Sequence, residues 1–160
     1  MNKKDFRSAA LLWANYVNAK HYLLNEGLVR SYKAPEVDFA EWIVATNWKG
    51  KLLDNKNFPA YDVVASDKRI QVKSISKMPD NPHGYIITIK DKKNDPHQGA
   101  THYAFVFYTE LIPDEIFLVP ESFVRQFPKK EIKRQDLINA GCKVDIDLSV
   151  FRNAVNKSNK

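Results

Sequence analysis

The chain of 160 residues has a single cysteine, Cys142, so no internal disulfide can form and a cysteine-rich metal site is excluded. No stretch approaches the roughly 20 apolar residues of a membrane-spanning helix. The opening MNKKDFRSAALLWANYVNAK starts basic, as a secretion signal does, but Asp5, Arg7 and Asn15 break its apolar run. The expected location is therefore a reducing cytoplasm, with no membrane partner. Internal repeats, low-complexity tracts and a second domain boundary are all missing. Gly50-Lys51 lacks the upstream glycine of a phosphate-binding loop, since Ala45 stands in that place, and nucleoside triphosphate binding has no support. No serine or cysteine sits in a recognisable setting with a base, which leaves a covalent nucleophile without a candidate. His83, His97 and His102 do not have the spacing of a zinc pair, and they read as loop and strand residues.

What is present argues for a folded, basic domain. Apolar residues make up 44% of the chain, too many for a disordered segment, and the formal charge of +6 favours an anionic partner such as nucleic acid. Phe6, Ala9, Ala10, Trp13, Tyr16, Val17 and Lys20 recur at three- and four-residue steps, so residues 5–25 read as an amphipathic helix that ends at Gly27. Its aromatic stripe suits core packing or a dimer seam. Pro35 opens a second helix running to about Thr46, with Glu36 and Asp38 at its positive end. Val37, Ala40, Glu41 and Val44 share one face of it, which puts a carboxylate in an apolar stripe. Held against a sheet, such a group must be paired or bound to a cation.

A polar loop, LLDNKNFP, leads to strand-like segments at 60–65, 69–76, 84–90, 102–109 and 115–119. Pro120 opens a short helix, PESFVRQF; residues 134–140 form another; CKVDIDLSVF is extended before turning helical, and the tail NKSNK is expected to fray. These elements divide the chain into a helical extension (1–30), a core (35–127) and a C-terminal helical and extended segment (128–160).

Within YDVVASDKRIQVKSIS, a turn centred between Asp67 and Lys68 would place Asp62 opposite Lys73, Val64 opposite Gln71, Val63 opposite Val72 and Ala65 opposite Ile70. One face is then apolar (Val63, Ala65, Ile70, Val72), and the other carries Asp62, Gln71 and Lys73 together. The flanking Ile70, Val72 and Ile75 suggest a central strand, where a polar trio is more than an exposed ion pair.

Glu41 on a helix, then Asp62, then Gln71-Val72-Lys73 resembles the PD-(D/E)xK, or restriction endonuclease-like, nuclease superfamily, in the variant with glutamine two residues before the lysine. The resemblance spans 35–127. It implies an α/β fold with a central mixed β-sheet flanked by helices, and Mg2+-dependent hydrolysis of DNA, with Mn2+ as a substitute. It assigns Asp62 as principal metal ligand, helped by the Gln71 amide oxygen and the Val72 carbonyl, with Glu41 as second negative charge and Lys73 to orient the attacking water. Two positions depart from the pattern: Ala60-Tyr61 replaces the name-giving proline, and Gln71 removes one negative ligand. Lys49, Lys51, Lys56, Lys77, Lys90, Lys92 and Lys93 are candidates for phosphate contacts. The expected substrate is duplex DNA, cut by a homodimer, because one small domain has one site for two strands. The alternative is a binding or interaction protein that keeps the fold without turnover.

Overall fold

Helix α1 (Phe6–Asn25) closes at Gly27, whose φ of 68° suits a residue without a Cβ; Leu28 N–H reaches back to Leu23 O and Gly27 N–H to Leu24 O, capping the orphan carbonyls. Helix α2 (Pro35–Asn47) begins with the proline that needs no amide partner and carries Glu36 and Asp38 in its first turn. Three residues past its end, Gly50 passes so near the next strand that a Cβ there would lie 2.8 Å from Val64 O and 2.9 Å from the Ala65 and Val63 side chains. That close approach brings the chain from α2 directly onto the sheet.

In the computed structural model, which describes residues 6–31, 34–54, 60–77, 86–89, 99–127 and 131–158, the strands are β1 (Lys51–Leu52), β2 (Val63–Ala65), β3 (Lys68–Lys77), β4 (Ile86–Thr88), β5 (His102–Thr109), β6 (Ile112–Pro120) and β7 (Glu131–Lys133). The main sheet has the order β1-β2-β3-β5-β6, with β3 parallel to β5 and the other pairs antiparallel. A separate ribbon pairs β4 with β7. Three short helices complete the described residues: α3 (Glu121–Arg125), α4 (Arg134–Asn139) and α5 (Ser149–Ser158). The fold is mixed α/β, a five-stranded mixed sheet flanked by helices.

The pleat sorts the sheet into two apolar faces. Ile70 and Val72 of β3, with Ala104, Val106 and Tyr108 of β5, pack under Ala40, Ile43 and Val44 of α2. Phe105 and Phe107 turn the other way, into a second core with Val124 of α3, Leu137 of α4 and the ribbon residues Ile87 and Ile132; Ile75 of β3 packs against it. Both layers are needed because strand β3, third of five, is covered on each side.

Several expectations change. The hairpin turn lies one residue earlier than expected: Ala65 pairs with Lys68 and Val63 with Ile70, leaving Ser66-Asp67 as a two-residue loop with Ser66 at φ 52°. Such loops match the twist of the strands when their first residue takes a left-handed conformation. Moving the centre by one residue shifts each partner by two, so the sorting of faces survives while Asp62 no longer stands opposite Lys73. Asp62 itself lies outside β2, which is shorter than the 60–65 strand expected. Most of the α1 stripe stays out of the core, since Ala9, Ala10, Trp13 and Tyr16 are exposed. Helix α5 continues through Ser158, into the tail expected to fray. The two-residue β1 and the three-residue β7 are too short to show a period and were not anticipated. Among the described residues no helix is long and apolar enough to cross a membrane.

Candidate active site

Strand β2 parts from β3 at Asp62, and the parting creates the site. Asp62 N–H donates to Ile70 O at 2.9 Å, and its carboxylate Oδ2 accepts the Val72 N–H at 2.7 Å. A side chain thus meets a β3 amide that a backbone carbonyl would meet in a continued ladder. Gln71 closes over the same oxygen: its Nε2 donates to Asp62 Oδ2 at 2.5 Å and to Val72 O at 3.5 Å.

Lys73 is half-buried two residues along β3, on the face of Gln71, and registers with Phe105 across the parallel pair, as Gln71 does with Tyr103. This face looks away from α2. Glu41 therefore belongs to the opposite layer, on the side of α2. Helix α2 covers the sheet on its apolar face, over Ile70 and Val72.

Glu41 is buried, with 5% of its surface exposed. Its carboxylate is pushed up to about 7, first by burial and next by the negative charge of Asp62, against the lowering influence of Arg30; Asp38 adds a further upward push. The effect of Asp62 on Glu41 marks them as neighbours. Arg30 answers both the burial and the charge. Its Nη2 donates to Glu41 Oε2, its Nη1 to Leu53 O at 2.7 Å, and its backbone N–H to Asp38 Oδ2 at 2.8 Å. Leu53 N–H in turn donates to Asp62 O at 3.1 Å, so one arginine ties the helical acid to the strand that presents the other. Sequence reasoning missed Arg30: a lone arginine between two helices carries no periodic signal. The burial requirement on Glu41 was the only clue that a partner must exist.

The donor chemistry suits a hard divalent cation. Asp62, Glu41 and Val72 O offer oxygen donors, and magnesium needs only one or two carboxylates beside neutral oxygens and water. The amide nitrogen of Gln71 lies between Asp62 Oδ2 and Val72 O, the place a cation would share; half a turn of that amide exchanges its donor for its acceptor oxygen. Among the described residues no group of three or more His, Cys, Asp or Glu side chains could hold a metal.

Of the basic residues, Lys49 and Lys51 are exposed between α2 and β2, Lys49 with φ 50°. Lys77 ends β3. Lys56, Lys90, Lys92 and Lys93 lie outside the described residues, as do His83 and His97. His102 faces Thr101, with Nδ1 3.0 Å from its Oγ1, and burial holds its ring below the usual histidine range. A second charged cluster went unforeseen: Glu115 of β6 receives Arg134 Nε and Nη2 at 2.6 and 2.7 Å and Lys143 Nζ at 3.1 Å, fastening α4 and the following segment to the sheet.

A scan against protein-family models finds no match for the chain, and a search of curated proteins finds none either.

Proposed function

We propose that the protein is a Mg2+-dependent DNA endonuclease of the PD-(D/E)xK, restriction endonuclease-like superfamily, in its glutamine variant, acting on duplex DNA as a homodimer in restriction or homing. The observation that carries the reading is the joining of Asp62, Gln71 and Val72 at an opened hairpin, with Lys73 on the strand of Gln71 and the buried Glu41 near enough to feel the charge of Asp62. A mixed sheet flanked by helices is also what the resemblance implies.

Phosphodiester hydrolysis requires a water held near an anionic phosphorus and a means of stabilising charge on the oxygens. A bound hard cation supplies an activated water and polarises a phosphoryl oxygen. Asp62 and Glu41 would hold it, with Val72 O and the Gln71 amide oxygen completing the protein's share. Lys73, half-buried on the face of Gln71, would orient the attacking water and offset charge growing on the phosphate. Exposed Lys49 and Lys51 position the phosphate backbone without reading sequence.

Supercoiled plasmid incubated with Mg2+ is the test. Wild type is expected to relax and linearise it, while Asp62→Asn and Lys73→Ala each lose about 100-fold or more in rate. Intact plasmid after prolonged incubation of wild type with either Mg2+ or Mn2+ overturns the reading. A second reading, a DNA-binding protein without turnover, is favoured by one observation: the Gln71 amide and the Arg30 guanidinium already partner the two carboxylates. It predicts salt-sensitive retention of duplex with no cutting.

A further inference from the structure

Arg30 belongs to the connection between α1 and α2, outside the segment that the resemblance covers. A folded chain cannot leave Glu41 charged and unpartnered in its buried position, so some positive group has to stand beside it until a cation arrives. Arg30 is that group, and its guanidinium occupies an oxygen that the cation would need. Its attachment is divided. The backbone N–H is fixed to Asp38 and Nη1 to Leu53 O, while a single prong, Nη2, reaches Glu41. Nε is buried and has no hydrogen-bond partner among the described residues. A turn of the guanidinium that releases Glu41 also strains the bond to Leu53 O, while the backbone bond to Asp38 stays.

We propose that Arg30 is an internal counter-ion that holds Glu41 while the site is empty and yields it by exchange, so that Arg30 sets the site's affinity for divalent cations. The inference rests on the hydrolase reading for the cation's place. It differs from a purely structural clasp in sign: a competitor's removal tightens cation binding, whereas loss of a clasp that positions Glu41 weakens it.

Mn2+ binding to the full chain, followed by titration calorimetry without DNA, tests the exchange in wild type, Arg30→Gln, Glu41→Gln and the double variant. Arg30→Gln is expected to tighten Mn2+ binding about tenfold, and in the Glu41→Gln background the same change is expected to alter it less than about twofold, because Arg30 acts through Glu41. Weaker or unchanged binding in Arg30→Gln overturns the proposal. So does equal tightening in both backgrounds, which is the signature of plain charge repulsion. Should Arg30→Gln fail to fold, wild type answers alone: Mg2+ must shift the Arg30 Nε–Hε resonance in 1H–15N spectra, and an unmoved signal overturns exchange. Asp62→Asn separates the two levels. If it leaves Mn2+ binding untouched, the ion sits elsewhere and the hydrolase reading falls with the exchange. If it abolishes binding while Arg30→Gln has no effect, only the exchange falls.

Discussion

Two acids in this chain solve burial in opposite ways. Glu41 has one arginine prong against burial and the charge of Asp62, and its carboxyl is raised; Glu115 has two cations, and its carboxyl is lowered to about 2 although burial alone would raise it. The difference is the number of charge-assisted hydrogen bonds, three from Arg134 and Lys143 in the second case. A lowered folded value means that the unfolded chain takes up protons first as pH falls. The contribution of Glu115 is thus fully present above the ordinary carboxylate value of 4.5 and fades as pH drops from there through about 2. Allowing for solvent screening, it is worth about 1–2 kcal/mol at neutral pH. Glu115→Gln is expected to lose that amount in urea melts at pH 7, with the gap to wild type narrowing steadily below pH 4.5; a gap that stays constant with pH contradicts the assignment. Gly50→Ala belongs to the same scale. A methyl 2.8 Å from Val64 O forces backbone to move, and a loss of about 1–3 kcal/mol is expected in the same melts.

At the scale of elements, the most exposed feature is α1. Trp13 is 66% and Leu12 53% exposed, on a helix whose sequence repeats at sevens: Phe6, Trp13 and Lys20 in one row, Ala9, Tyr16 and Leu23 in the next. A seven-residue repeat, apolar except at Lys20, suits a helix partner, and a second copy would supply one. Set antiparallel with Trp13 against Tyr16, the two helices bring Lys20 of one copy to the small Ala9 of the other. The two Lys20 charges then stay ~16 Å apart along the axis, beyond the reach of repulsion in physiological salt. Trp13→Glu is expected to turn a dimer into an 18.5 kDa monomer by light scattering; a monomeric wild type at micromolar concentration sinks the pairing. Elements of this length were legible beforehand because their periods run for several turns or pleats: α1, α2, β3 and β5 fall within a few residues of where the pattern puts them. Glu41 was legible as an acid among Val37, Ala40 and Val44. What escaped was decided by tertiary contact. Nothing local says that β2 begins only after Asp62, because the cause is a side chain taking the Val72 amide, and nothing local pairs Arg30 with an acid eleven residues on. Burial of Glu41 demands a cation; only the fold says which.

For the whole molecule, the excess of basic over acidic side chains gives a formal charge of +6, while the charge of Asp62 at the opened hairpin reaches that of Glu41. A polyanion is drawn to such a surface by its phosphates but repelled at the acids, so binding is expected to depend on lysines around the site more than on the site itself. Lys49 and Lys51 sit exposed on the turn from α2 into β1, close in sequence to the helix that carries Glu41. Each lysine that neutralises a phosphate releases condensed counter-ions, and the logarithm of affinity falls with the logarithm of salt at about 0.9 per contact. Fluorescence anisotropy with a short duplex at several salt concentrations is expected to give a steep line for wild type. For the Lys49→Ala, Lys51→Ala double variant, a slope reduced by about 2 is expected, with affinity weakened alike for unrelated sequences. Asp62→Asn, in contrast, removes a negative charge without touching a phosphate contact, and is expected to bind somewhat tighter at an unchanged slope. An unaltered slope in the double lysine variant places the phosphate path elsewhere on the surface, and no binding by wild type at the lowest salt removes nucleic acid as the partner altogether.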